Sequence, residues 1–560
     1  MKNELSRFEN FIHFSLWTLA CFYSIHKLVR SQTEILENNH EFQYEIRDLN
    51  PGWRTISRLK DESDVEWSTW KYHIQTSWFY MLIQFLGSEI IRKRSPSILK
   101  YWYIISSVIY ILKYMGYKQL VIILAQPIIF AIIIYTGGKK YCIWLTSILL
   151  LAGYNTLKYK YFFWRFLDTD HLQDEEVFVM LYTIAWIELR CISFCLDYDK
   201  TNLVRLSLFE ELINMFTYVL YLPLLFVGPI LLYEEFDRSF HKKNENLSLR
   251  LKIFFLDMMR FIIYGMLLEI AFHYVYFFAM QSNMEAIHKL PSLALCGGGL
   301  WMGLEFHLKY VISYGTTTAY SRLDHIDPPP TPRCIFRIHV YSQMWRYFDV
   351  GLYRFLLKYI YKPVFYTLSL SITLPKMVYK LLSSLITFMF IFMWHGTMWN
   401  IFVWSVLNYL GIAVEYIGKA VTESENYKLF KEKVLKTNAM EVRFTAFLCA
   451  PLLGLSAISN FYLFAGSDIG NLYFGLLQWP SLCNFVLVYT SLYCCCHVAI
   501  ALYDVPSRTD VKKTEIKTLS TGMCWILLIT SMNVYALLQS NRLHPQLHQQ
   551  LYVFVSSLAL

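Results

Sequence analysis

Mostly apolar stretches long enough to cross a lipid bilayer recur from one end of this chain to the other, and that feature alone excludes a water-soluble fold. A crossing helix needs about 20 apolar residues, because roughly 30 Å of hydrocarbon is covered at about 1.5 Å per residue. Candidates include Phe11–Val29, Ser77–Ile91, Leu120–Tyr135, Cys142–Tyr154, Val177–Leu196, Ile253–Met280, Ser292–Tyr314, Gly351–Thr373, Val378–His395, Met398–Ile417, Val442–Leu463, Leu472–Leu502 and Leu519–Leu538. Some are too short or too polar to cross alone, so re-entrant or interfacial helices are expected among them. Only 17% of the residues are charged and 56% are hydrophobic, with a mean hydropathy of +0.34, whereas soluble domains carry about a quarter charged. The expected class is all-α, a polytopic membrane protein.

Residues 31–76, between the first two candidates, are polar and charged and read as a loop with room for an amphipathic helix. The net charge of +9 collects in short runs between apolar segments: Arg92-Lys93-Arg94, Lys139-Lys140, Lys242-Lys243, Arg346 to Lys362 and Lys428 to Lys436. Such runs mark cytoplasmic edges rather than a nucleic-acid surface, although they are too many for one clean topology. Asn246-Leu247-Ser248 is a formal glycosylation site, but the neighbouring lysines favour an unused cytoplasmic sequon. No repeat of 20 to 50 residues is present to support a solenoid or an inverted-repeat transporter. The twelve cysteines form no regular framework and read as buried free thiols. Cys494-Cys495-Cys496-His497 holds metal-ligand residue types, yet adjacent helical residues point in different directions, so packing or occasional S-acylation is the simpler reading.

Ionisable residues at membrane depth are costly, which makes each one a candidate for function. His395 ends the run FMFIFMWHG, has no charged residue between itself and Lys380, and is followed by another apolar stretch. An imidazole there can trade protons near neutral pH. A second island, Met344 to Pro363, sets Asp349 among aromatics with Arg346, Arg354, Lys358 and Lys362 around it. Arg346 lies three residues before Asp349 and could pair with it on a helix. Alternatively, the basic residues, joined by Arg333 and Arg337 upstream, form a cationic mouth for the phosphates of an acyl-CoA.

A basic aromatic segment with an Asp, about one membrane passage, and then Trp394-His395-Gly396 resembles the pattern of the membrane-bound O-acyltransferases. Their pair is an Asn or Asp upstream and a His within a helix, and the hedgehog acyltransferase branch carries Asp, as at Asp349. The resemblance continues in Val65-Glu66-Trp67, in Leu220 to Phe236, in Arg322 to Cys334, in Leu407 to Glu415 and in Leu455 to Gly470, and so covers most of residues 1–505. Departures are the stretch Val364 to Lys376, where a Gly-rich turn is usual, and Thr397 in place of a second Gly. A sister branch lacks the histidine, so its presence here favours an active member. The fold implied is roughly 10–13 transmembrane and re-entrant helices around a central catalytic tunnel over 1–505, with 506–560 as a C-terminal extension bearing one added apolar segment. The resemblance also implies a haem b held by Cys334, which follows a proline-rich turn; a thiolate is a legitimate haem ligand.

The implied function is transfer of palmitate from palmitoyl-CoA to the N-terminal cysteine amine of a secreted, hedgehog-like protein, in the lumen of the endoplasmic reticulum or the Golgi. The expected catalytic residues are His395 as general base and Asp349 as the group that orients the reactants; Arg346, Arg354, Lys358, Arg333 and Arg337 are expected to bind acyl-CoA. The expected partners are palmitoyl-CoA, the N-terminal-Cys protein and membrane lipid. Two rivals stand beside this: a porcupine-like serine O-acyltransferase or another member acting on a lipid hydroxyl, and a transporter using His395 and Asp349 as a proton relay.

Overall fold

Apolar side chains face outward and polar ones inward along several helices of this protein, the reverse of the arrangement in water. The computed structural model describes residues 5–38, 46, 48–155, 174–201, 207–242, 245–478 and 481–503, and they are almost wholly helical. The longer helices are α1 (Arg7–Asn38), α2 (Val65–Arg94), α3 (Leu99–Tyr114), α4 (Tyr117–Tyr135), α5 (Lys140–Asn155), α6 (Asp174–Thr201), α7 (Leu208–Val219), α8 (Leu247–Ala271) and α9 (Ser292–Leu323). They continue with α10 (Tyr341–Tyr347), α11 (Val350–Leu356), α12 (Lys376–His395), α13 (Trp399–Thr422), α14 (Asn438–Gly475) and α15 (Leu482–Ala501). Among the described residues, six helices are long and apolar enough to cross a membrane: Tyr117–Tyr135, Glu175–Tyr198, Lys376–His395, Trp399–Thr422, Asn438–Gly475 and Leu482–Leu502. The chain is thus a polytopic, all-α membrane protein.

Helix α8 shows how a more polar helix joins this assembly. Phe255, Leu256, Met259, Ile262 and Ile263 are exposed on its outer face, while Arg250 and Asp257 are buried on its inner one. The Arg250 guanidinium donates to Glu89 at 3.0 Å, and Arg92 pairs with Asp324 at 3.0 Å. These interior ion pairs tie α2 and α8 to the C-terminal end of α9, and each charge there has its partner, as burial requires. Helix α9 runs through the middle, packed on α1 and on α8.

The described residues of the polar segment 31–76 form helix and hairpin. Helix α1 runs on to Asn38, and Leu49–Pro51 pairs antiparallel with Leu59–Asp61 in the register Leu49↔Asp61. The hairpin is fastened to the α8–α9 connection, where Asp61 N–H donates to the Phe272 carbonyl at 3.0 Å and Asp61 Oδ2 accepts from Ala279 N–H at 2.9 Å. Three residues later Asp64 accepts from Trp67 N–H at 2.9 Å and caps α2, satisfying one of the orphan donors of the first turn.

Two sequence spans are redrawn. Gly351–Thr373 is α11, a wide π turn at Leu357–Tyr361 and a helix at Lys362–Ser371 with no buried residue. Leu472–Leu502 is split between the end of α14, which leaves helical geometry at Gly466, and α15. The apolar run Leu519–Leu538 and the extension 506–560 lie outside the described residues.

Candidate active site

Helices α12 and α13 form a hairpin whose tip carries His395. Gly396 ends α12 at φ 113°, a left-handed conformation that costs a glycine little and a side-chain-bearing residue much. Three residues, Gly396 to Met398, then suffice to enter α13. Non-helical backbone at membrane depth is tolerated where it lines a cavity, and His395, Gly396 and Met398 all do so. The imidazole stands edge-on between two indoles, Trp394 at 4.8 Å and Trp404 at 5.0 Å. Both indoles are held in turn: Trp394 Nε1 donates to the Ala185 carbonyl at 3.2 Å, and Trp404 Nε1 donates to Asn460 Oδ1 at 3.1 Å. The half-buried ring is thus oriented by packing, with its accessible edge on the cavity.

Asp349 reaches the same cavity from α11. Its Oδ1 accepts from Leu352 N–H at 2.8 Å as the cap of that helix, and its Oδ2 accepts from the Tyr314 hydroxyl at 2.9 Å. The first turn of α11 lies directly on another backbone, since a Cβ on Gly351 would sit 2.3 Å from the Ile230 carbonyl oxygen. Only glycine permits that approach, which fixes the depth of Asp349. Arg346 does not pair with this carboxylate; its guanidinium is exposed and lies 5.9 Å from the ring centre of Tyr353.

The cavity measures about 1090 Å³, and besides His395 and Asp349 its lining holds a charged cluster and an apolar stretch. In the charged cluster Lys309 Nζ lies 2.6 Å from Asp64, 2.9 Å from Glu66 and 3.6 Å from Glu305. Three carboxylates thus face a single ammonium. The apolar stretch is formed by Leu149, Leu150 and Leu151 of α5 and by Leu181, Ile184 and Ala185 of α6, and Tyr182 beside it donates to Glu66 at 2.8 Å. Stacked aromatics, with Phe306 3.9 Å from Phe464 and 5.4 Å from Phe348, form a wall of the same cavity.

The remaining basic candidates are engaged elsewhere. Arg354 pairs with Glu235 at 2.8 Å, and Lys358 pairs with Asp197 at 2.8 Å and Glu234 at 2.7 Å. Arg333 donates to the Tyr503 carbonyl and Arg337 to the Leu502 carbonyl at 3.0 Å, which ties their turn to the end of α15. None of the five lines the cavity. Sequence reasoning missed Tyr314 and the charged cluster. Glu305 and Lys309, one helical turn apart inside the apolar candidate Ser292–Tyr314, were the available signal.

Cys334 lies just before the 3-10 turn Ile335–Arg337, half-buried beside Cys495 and away from the cavity lining. A haem there would need a thiolate ligand and donors for its propionates. The thiol is one, and Arg333 Nε and His339 Nδ1, close by in sequence, are buried without a hydrogen-bond partner. Cys494 and His497, on the same helix as Cys495, face α1, where His13 stacks on His497 at 4.1 Å and lies 3.5 Å from the Cys494 sulfur.

Comparison with known proteins bears on the same residues. The family model for the membrane-bound O-acyltransferase family matches residues 130–459, more than half of the chain and the part that holds both His395 and Asp349. Similar proteins include the protein-cysteine N-palmitoyltransferase Rasp of Drosophila melanogaster, 27% identical over 518 residues, 91% of this chain and 98% of that protein. The protein-cysteine N-palmitoyltransferase HHAT of Mus musculus is 28% identical over 507 residues, 86% of this chain and 94% of that protein. The HHAT-like protein of Mus musculus is 25% identical over 375 residues, 66% of this chain and 70% of that protein. With a polytopic helical fold and a histidine and an aspartate meeting in one interior cavity, the chain belongs to the membrane-bound O-acyltransferase family.

Proposed function

We propose that this enzyme transfers palmitate from palmitoyl-CoA to the N-terminal cysteine amine of a secreted, hedgehog-like protein, within the membrane of the endoplasmic reticulum or Golgi. The observation that carries this reading is a single cavity lined by His395 and Asp349, by an apolar stretch and by an acidic cluster. The apolar stretch suits a long acyl chain, each buried methylene contributing about 0.8 kcal/mol. The acidic cluster suits the positively charged N-terminus of a polypeptide: Asp64, Glu66 and Glu305 outnumber Lys309. The names of Rasp and HHAT, which match this chain over nearly all of its length, agree with that acceptor.

In this mechanism the amine nitrogen attacks the thioester carbonyl, the C–N bond forms and the C–S bond breaks. His395 takes the proton from the attacking amine and returns it to the departing CoA thiolate. A base is needed because an α-amine with a pKa of about 7.7 to 8.0 is only about a tenth to a sixth neutral at pH 7. Asp349, held by Tyr314 and by the cap of α11, orients the reactants, and the aromatic wall excludes water that would hydrolyse the thioester. Arg346, exposed and with no carboxylate partner among the described residues, meets the CoA phosphates first; Arg354 and Lys358 join by exchanging Glu235 and Glu234 for phosphate, and Arg333 and Arg337 hold the adjoining turn in place. Cys334 would hold the haem through its thiolate, with Arg333 and His339 as donors; when bound, the group supplies an iron–thiolate bond that braces this turn.

The test uses purified protein in detergent with labelled palmitoyl-CoA and a peptide bearing an N-terminal cysteine. Label that resists neutral hydroxylamine, and is absent when the peptide N-terminus is acetylated, is expected. Label released by hydroxylamine would indicate a thioester product. Transfer to a serine peptide without a free N-terminus would favour O-acylation, and no transfer at all would return the transporter reading.

A further inference from the structure

Helix α12 ends without a backbone cap. Its last four carbonyls, Phe392 to His395, have no partner within the helix, and among the described residues neither Gly396 nor the two residues after it return a backbone N–H to them. At membrane depth such carbonyls need a donor from elsewhere in the protein or from water in a cavity. One donor is supplied by α5: the side-chain amide of Asn155, at the C-terminal end of that helix, donates to the Met393 carbonyl at 2.8 Å. Its Oδ1 lies against the turn itself, 3.8 Å from where a Cβ on Gly396 would stand. The half-buried Asn155 lines the same cavity as His395. Its place is fixed through α5, where Trp144 meets Phe390 of α12 edge-on at 5.9 Å and the Tyr154 hydroxyl accepts from Gln126 of α4 at 2.5 Å.

We infer that Asn155 is a positioning residue that holds His395 in its working place by closing the open end of α12, a role that rests on the acyl-transfer reading above. The imidazole itself has no hydrogen-bond partner among the described residues, and its ring contacts are the indoles of Trp394 and Trp404. Those indoles fix the tilt of the ring. The depth of its nitrogens follows the backbone from which it hangs, and that backbone lies two residues past the carbonyl that Asn155 holds. Without the amide, the last turn of α12 is free to fray toward the cavity. A reacting group misplaced by about 1 Å can lose about a hundredfold in rate, so one hydrogen bond at this point matters more to turnover than to stability.

The experiment measures kcat, and KM for palmitoyl-CoA and for an N-terminal-Cys peptide, with full-length enzyme in detergent as wild type, Asn155→Leu, His395→Ala and the double variant. Asn155→Leu, which keeps the volume of the side chain and removes its donor, should lower kcat about tenfold or more and leave both KM values within about twofold. In the His395→Ala background the same substitution should lower kcat by less than about twofold, because a residue that acts through His395 has nothing left to position. If the leucine variant does not fold, Asn155→Ala completes the same cycle. Wild-type kcat in the Asn155 variant overturns the inference. So does an equal loss with and without His395, which would make Asn155 a packing residue, and so does a raised KM with kcat unchanged, which would place it in substrate binding. A wild-type enzyme that transfers no acyl group, or a His395→Ala variant as active as wild type, overturns the parent reading and this one with it. Wild-type transfer that His395→Ala lowers isolates the question of Asn155.

Discussion

The Tyr314 hydroxyl donates to Asp349 Oδ2 at 2.9 Å, from α9 to the cap of α11, and so links the central helix to the candidate centre. Tyr314→Phe removes this bond and keeps the cap. Loss of a hydrogen bond to a charged acceptor costs about 1.5 to 3 kcal/mol, so turnover should fall about tenfold or more with little change in Tm. Asp349→Ala removes the cap as well, worth about 1 kcal/mol, and should lower both turnover and Tm. Steady-state kinetics with thermal unfolding of the two variants checks this, and a fully active Tyr314→Phe enzyme would show that the tyrosine does not position Asp349.

In the proposed mechanism the proton transfer depends on His395. Its replacement by alanine should lower turnover about a hundredfold or more while leaving palmitoyl-CoA binding nearly intact, as removal of a general base does. Without the base, only the neutral fraction of the amine reacts, so the defect should narrow as pH rises through about 8. Acidic neighbours favour the ammonium form and place that limb above its position for a free peptide. A pH series of single-turnover rates would show both effects, and wild-type turnover in the variant would remove His395 from the mechanism.

The basic residues divide by their partners. Arg346→Gln should raise the KM for palmitoyl-CoA and weaken its dependence on salt, with peptide affinity unchanged. Lys358→Met instead leaves Asp197, nearly fully buried, without its cation, while Glu234 keeps Arg238 at 2.9 Å, and should lower Tm before it affects donor binding, because stranding a buried charge costs more than a surface contact gains. Titration of the donor at two ionic strengths, paired with thermal unfolding, separates the two. An unchanged KM in Arg346→Gln would move the phosphate site elsewhere.

For Cys334, purified wild-type protein should show a Soret band that Cys334→Ser abolishes, with a lower Tm in the variant because a bound group stabilises the folded state by mass action. A colourless and active wild-type preparation would remove haem from this protein.

The class of this protein and its candidate pair follow from local features of the chain. Apolar runs near 20 residues report a membrane solvent without reference to contacts, and a histidine between two such runs, ended by a glycine, announces both the α12–α13 turn and its chemistry. Hydropathy could not show that Val350 to Ser371 contains a wide turn or that α1 runs to Asn38, because helix boundaries at an interface depend on caps and neighbouring chains. The fate of the cations lay further out of reach. Arg354 and Lys358 find carboxylates 119 to 161 residues away in sequence, and Arg346 is three residues from Asp349 yet does not pair with it, because α10 ends before α11 begins and the two residues never share a helical face. Asp64, Glu66 and Lys309 likewise acquired meaning only when α2 and α9 were packed around one cavity. Residue type decides what a side chain can do, but the long-range pairing of buried charges decides what it is free to do, and that pairing exists only in the folded protein.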